Sequence, residues 1–226
     1  MYMPKPKISV NKLGEYLQTN PQRRKTIIYD MKYPKSYKVA RYIEAKEAIK
    51  NYFISNFDEE VLNASIYAHE AKKPESEFQE QDKQLSIELL EAMLDIELPD
   101  LTNYSVEIES YKDSNPKLDI SGVDISVNPD LVIRGNYRNN KVIGIVKFHT
   151  SKTNSLNEEG RKTVATVLKR FTEEYVAQSD EKVFDRLCLS IDIFTNSHTI
   201  PPKSFKRKLD YIEIACEEIA LRWASL

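Results

Sequence analysis

The stretch Val142-Ile143-Gly144-Ile145-Val146-Lys147-Phe148 constrains this chain more than any other, because it is a short, β-branched apolar run broken by a single charge. Such a run reads as a central strand buried on both faces. Upstream, Leu131-Val132-Ile133-Arg134 begins a second strand, and the Gly- and Asn-rich turn at 135–140 predicts a hairpin between the two. Tyr104 to Tyr111 alternates with period two. So does Leu118 to Val127, with a change of face at Gly122 that predicts a bulge or bend.

Helical spacing brackets this block on both sides. Leu85, Ile87, Leu89, Leu90, Met93 and Leu94 predict a helix over 81–95. Ser155-Leu156-Asn157-Glu158 fits a capping box and predicts a helix to about Ala177. A strand at Leu187–Phe194 and a helix from Ser204 to Trp223 complete the order. Before the block, short helices are expected at 12–17 and from Asn20-Pro21 to Met31, then longer ones at 36–54 and 58–71. Lys72 to Glu77 has the composition of a linker. The expected class is α/β in two parts: a basic helical N-terminal region at 1–75, read as an appendage, and an α/β domain at 80–226.

Composition narrows the function. With 41% hydrophobic and 30% charged residues the chain can bury a core. Its five glycines form no GxGxxG or GxxxxGK[ST] pattern, which sets aside Gly-rich nucleotide cradles. Cys188 and Cys216 lie too far apart for a zinc knuckle and predict reduced, buried thiols. No apolar run approaches the ~18 residues of a membrane span, so a cytoplasmic protein without a membrane partner is expected. The net charge of −2 hides an asymmetry: residues 1–53 carry twelve Lys/Arg against four Asp/Glu, the remainder twenty-one against thirty-one. A basic head of that kind either attracts nucleic acid or complements the acidic body of its own molecule.

The candidate chemistry lies at the ends of the two hairpin strands. Cleaving a phosphodiester with a metal ion requires acidic oxygens to hold Mg²⁺ or Mn²⁺ and a lysine to serve the attacking water or the developing charge. Pro129-Asp130, a hairpin and then Lys147 supply an acid and a lysine in that order. This arrangement resembles the PD-(D/E)XK nuclease superfamily over roughly residues 80–226. The resemblance implies a restriction-endonuclease-like core (helix, antiparallel strands, helix, strand, helix) with Asp130 and Lys147 catalytic. It also implies a Mg²⁺ or Mn²⁺ cofactor, and DNA or RNA as partner in restriction, phage defence or mobile-element processing. A protein partner in a larger complex and a homo-oligomer both fit such a role.

One departure stands out. The acid that the superfamily places two residues before its lysine is here Ile145, which cannot bind a hard cation. Either the carboxylate has moved, to Glu88 or Glu91, to Glu107 or Glu109, or to Asp119 or Asp124, or the metal site is lost. The candidate metal ligands are therefore Asp130, Asp124, Asp119 and Glu88. Lys152, Arg161, Lys162, Lys169 and Arg170 are the candidate nucleic-acid contacts, on or before the helix that follows the motif.

Each residue also has an ordinary explanation. Pro-Asp is common in turns, and a strand-end lysine often reaches solvent. His149 fits a packed position, Asp124 a structural ion pair, and the basic residues a solvated helix face. The competing function is a nuclease-like fold without catalysis that binds nucleic acid or a protein. A structural assembly protein is the third.

Overall fold

The computed structural model describes residues 4–34, 41–101, 104–114 and 116–226. The N-terminal elements are β1 (Lys7–Ser9), α1 (Val10–Gln18), α2 (Pro21–Lys32), α3 (Ile43–Ile54), α4 (Glu59–Glu70) and α5 (Glu77–Leu94). Five strands follow: β2 (Glu107–Ser110), β3 (Lys117–Ile120), β4 (Val123–Ser126), β5 (Leu131–Tyr137) and β6 (Asn140–His149). The chain continues with α6 (Glu158–Phe171), β7 (Glu181–Val183), β8 (Leu189–Asp192), β9 (Ser197–Thr199) and α7 (Phe205–Ser225). Among the described residues no helix is long and apolar enough to cross a membrane.

The protein is a mixed α/β fold built on a six-stranded sheet. β2, β5 and β6 are antiparallel neighbours, β8 lies parallel to β6, and β9 closes the far edge antiparallel to β8. β7 pairs with the first residues of β6. Strand alternation divides the side chains between two cores. Leu131, Ile133, Val142, Val146, Phe148, Leu189 and Ile191 pack with α3, α4 and α5, whereas Val132, Ile143, Ile145 and Cys188 pack with α1, α2, α6 and α7. Burial on both faces explains why residues 142–148 do not alternate in hydropathy.

The turn chemistry differs from expectation at two places. Ser121 and Gly122 both have positive φ, 48° and 78°, and form a two-residue turn that folds 117–126 back on itself. The expected bulge is therefore a hairpin, and β3 and β4 leave the main sheet. With β1, which the sequence pattern did not reveal, they form a second, three-stranded sheet ordered β1-β4-β3. The cap of α6 is Asn157, whose side chain accepts from the Gly160 amide at 2.9 Å, rather than Ser155. The last expected turns of that helix are a π-helical segment at Thr172–Val176.

Helix α5 starts at Glu77, earlier than predicted, because Ser76 accepts from the Gln79 amide. The predicted helix start at 36 falls at residues 35–40, outside the described residues, and α3 begins at Ile43.

The described part of the 1–75 segment has no core of its own. Leu13, Tyr16, Ile27 and Ile28 complete one core; Ala45, Ile49, Tyr52, Phe53 and Leu62 complete the other. Short helices have too little mutual apolar surface to be stable alone, so they close the two faces of the sheet.

Helix α1 docks where two glycines meet. A Cβ on Gly14 would stand 2.9 Å from the Gly160 carbonyl oxygen, and one on Gly160 would stand 2.1 Å from Gln18 Oε1. In an exposed helix Gly→Ala would add about 1 kcal/mol of stability through propensity. Here Gly14→Ala is expected to remove about 1–2 kcal/mol instead, because the methyl group overpacks the helix crossing. Urea denaturation of the variant reads the sign directly.

Candidate functional site

The turn Asn128-Pro129-Asp130 sets the geometry. Asn128 takes a left-handed conformation (φ 44°), and its carbonyl oxygen accepts from Lys147 Nζ at 2.6 Å. Leu131 pairs with Val146, so Asp130 and Lys147 face each other across the β5–β6 ladder. The Asp130 amide donates to the Val146 carbonyl at 2.9 Å. Its Oδ2 accepts from the Phe148 amide at 2.8 Å and lies 3.0 Å from Lys147 Nζ. Both side chains are mostly buried, 17% and 16% exposed. The Pro-Asp pair is thus a turn and an ion-pair partner together, and its hydrogen bonds compensate for taking the charges partly out of water.

A third charged group, on the helical head, feels the field of this pair. Helix α3 packs beside β2, and its half-buried Lys46 lies close enough to Asp130 and Lys147 for their charges to act on it. Burial depresses the Lys46 pKa; Asp130 opposes this, while Lys147 and Lys50 reinforce it. Lys50 has its own acid, Glu47, at 3.0 Å. The Lys46 ammonium sits 5.8 Å from the centre of the Tyr42 ring. Beyond Tyr42 lie Glu88 and Lys152, bound to each other at 2.6 Å.

The predicted metal ligands do not converge. Asp119 and Asp124 face each other across the β3–β4 hairpin in the second sheet, where Lys5 pairs with both, the first at 2.6 Å. Glu88 is matched by Lys152, and Ile145 is fully buried in the α1–α6 core. Among the described residues no three His, Cys, Asp or Glu side chains group to hold a metal. Mg²⁺ and Mn²⁺ need hard anionic oxygens, whereas the neighbours that meet or influence Asp130 are ammonium groups. This donor set does not fit the cation implied by the resemblance.

The predicted nucleic-acid contacts are each engaged within the chain. Lys162 pairs with Glu158 and Glu159, Lys169 with Asp185 at 2.6 Å, and Arg170 with Glu174 at 3.3 Å. Arg161 donates to the Leu156 carbonyl and to Thr199 Oγ1. Arg161 and Lys162 also line an open cleft of about 940 Å³ with Arg186, His198 and Lys203, apart from Asp130 and Lys147.

Next to the ion pair, the protein holds a buried polar cluster. His149 pairs with Asp192 on β8; both are buried, and burial pushes the carboxyl pKa up and the imidazole pKa down. His149 Nε2 lies 2.7 Å from the Asn154 carbonyl, and Asp192 Oδ2 accepts from the Leu156 amide at 2.6 Å. Together they tie down the loop between β6 and α6. Glu15 on α1 adds a pairing with Lys12 and with Arg23, whose Nε donates at 2.8 Å. Arg23 in turn reaches Asn154 Oδ1 at 3.1 Å.

The sequence pointed to Asp130, Lys147 and their adjacency. It did not single out Lys46 or Asp192. Lys46 is one of several basic residues on a helix predicted from its spacing, and nothing local marks that helix as docking beside the sheet. Asp192 was visible as an acid within an apolar strand.

Burial would raise the Glu15 pKa, but Lys12 and Arg23 outweigh it and hold the carboxyl below its ordinary value of 4.5. Its stabilisation is therefore complete above pH 4.5 and is lost as the pH falls through the depressed folded-state value. Glu15→Gln should lower stability by about 3 kcal/mol at neutral pH, since it strands two cations at a side chain only 5% exposed. The gap to the wild type should shrink as denaturation is repeated toward pH 3. A constant gap would rule out the charge as its source.

No protein-family model matches this chain, and a search of curated proteins gives no match.

Proposed function

We propose that the chain is a nuclease-like α/β protein that binds nucleic acid without cleaving it through a metal ion. The order α5, β2, β5, β6, α6, β8, with β3 and β4 inserted, supports likeness to the PD-(D/E)XK core. The observation that carries the non-cleaving reading is the Lys147 ammonium, 3.0 Å from Asp130 Oδ2. Asp130 is paired with a cation of its own chain, and among the described residues it belongs to no group of three His, Cys, Asp or Glu side chains. The buried Ile145 fills the position at which the superfamily's motif carries its second acid. The half-buried Lys46 on α3, which has no ion pair among the described residues, supplies a basic group that a phosphate would neutralise.

Fluorescence anisotropy with labelled single- and double-stranded DNA and RNA in EDTA tests the reading. Binding should persist without metal and weaken by about tenfold to fortyfold between 50 and 200 mM salt, the slope for two to three neutralised phosphates. No product should accumulate in Mg²⁺ or Mn²⁺. Metal-dependent cleavage that disappears in both Lys147→Ala and Asp130→Ala would restore the nuclease expected from the resemblance. Absence of binding to every probe would remove the nucleic-acid reading altogether.

A further inference from the structure

The cleft of about 940 Å³ is bordered by the loop after α5, the start of α6, β9 and the segment leading to α7. Three of its cations form no ion pair with a carboxylate among the described residues. Arg161 spends its hydrogen bonds on neutral acceptors, the Leu156 carbonyl and, at 3.2 Å, Thr199 Oγ1. Arg186 donates to the Tyr104 hydroxyl at 2.9 Å, and Lys203 makes no hydrogen bond or ion pair. Lys162 differs, since Glu158 and Glu159 match it. On a solvated helix face each cation meets an acid in this way, whereas the other three leave their charge to a ligand.

Strand register spaces these charges along the edge of the sheet. Thr199, to which Arg161 is anchored, lies opposite Ser190 in the β8–β9 pairing. Arg186 precedes Ser190 in the chain, on the turn of 3₁₀ helix at Asp185–Leu187 that leads into β8. The Arg161 anchor and the Arg186 backbone are therefore on the order of 10 Å apart. That spacing suits two phosphates of one extended strand better than a single small anion. A peptide added to the edge fits poorly, because β9 has only three residues and Pro201-Pro202 beyond it carry no amide hydrogen.

We propose that this cleft is a binding site for single-stranded nucleic acid, with backbone phosphates on Arg161 and on Arg186 and Lys203. The site deepens the nucleic-acid reading above and rests on it for the identity of the ligand. Arg161 is held in place by Leu156 and Thr199, so its guanidinium is oriented before the strand arrives. Glu97 and Asp100 supply acceptors for the exocyclic amino groups of bases, which a single strand leaves unpaired. Ile200 and Pro202 add apolar surface for the base faces. Because the cleft lies apart from Asp130 and Lys147, a strand held in it needs no metal at that pair.

Anisotropy titrations in EDTA compare a short labelled single strand with the same sequence annealed to its complement. The single strand should bind at least about tenfold more tightly than the duplex. Arg186→Gln and Lys203→Gln should each weaken it about threefold to tenfold and lower the log–log salt slope by about 0.7, the share of one phosphate on a single strand. Arg186→Lys should restore the slope. Both side chains are exposed, so thermal melts of these variants should match the wild type; Arg161→Gln is read only with its melt, because Arg161 also ties the loop before α6. If the strand binds but Arg186→Gln and Lys203→Gln change neither affinity nor slope, the cleft is overturned and the nucleic-acid reading stands. Equal affinity for the duplex overturns it in the same way. An acidic peptide that binds more tightly than the strand, and loses this in Arg186→Gln, overturns it in favour of a protein ligand. Failure of every oligonucleotide to bind removes the nucleic-acid reading and this site with it.

Discussion

The contact between Gly14 and Gly160 is the constraint on which the rest of the architecture hangs. Only hydrogen atoms fit between the backbones of α1 and α6 at that point. The closeness lets Gln18 bridge the loop before α6, donating to the Ser155 carbonyl at 2.8 Å and accepting from the Asn157 amide at 2.9 Å. It also brings Asn11 to the Phe148 carbonyl at 3.0 Å, at the end of β6. With His149 and Asp192 holding the same loop from below, the strand end that carries Lys147 is fixed from two sides. Positional accuracy at a charged site comes from such rigid surroundings.

The two charged clusters at this end of the sheet solve the same problem differently. Around Glu15, one acid is enclosed by Lys12 and Arg23, and the excess cation is satisfied by Asn154. Around Asp130, the second ammonium, Lys46, is left without an acceptor among the described residues. A purely structural network would be expected to resemble the first arrangement, because buried polar groups with partners rigidify and those without are a liability.

Much of the fold was legible because the relevant signals are local. Helix spacing, the Asn20 cap before Pro21 and the 142–148 run each encode their own element. The Asp130–Lys147 pairing was also legible, since a hairpin fixes which residues face each other. What the sequence hid was every feature decided at long range. Three-residue strands such as β1, β7 and β9 carry no periodicity to detect. The inclusion of the described part of the first 70 residues in both cores depends on which surfaces meet, which local spacing does not record. The ligand candidates Asp119 and Asp124 failed to join Asp130 for one specific reason: the Ser121-Gly122 turn carries their hairpin to the second sheet, where Lys5 meets both.

The first helices are completed by the last one. Lys32 on α2 donates to the Trp223 carbonyl 191 residues later at 2.7 Å, and the Trp223 indole donates to the Pro4 carbonyl at 3.0 Å. During synthesis α1 and α2 emerge with Leu13, Tyr16, Ile27 and Ile28 uncovered, and their partners on α6 and α7 do not yet exist. At typical translation rates that interval lasts about ten to forty seconds. Over this time the nascent chain presents an apolar helical hairpin with nothing to pack against. The packing of that hairpin is thus tied to the synthesis of α6 and α7, and until then the segment that the finished protein uses as its clasp stays open to other apolar surfaces.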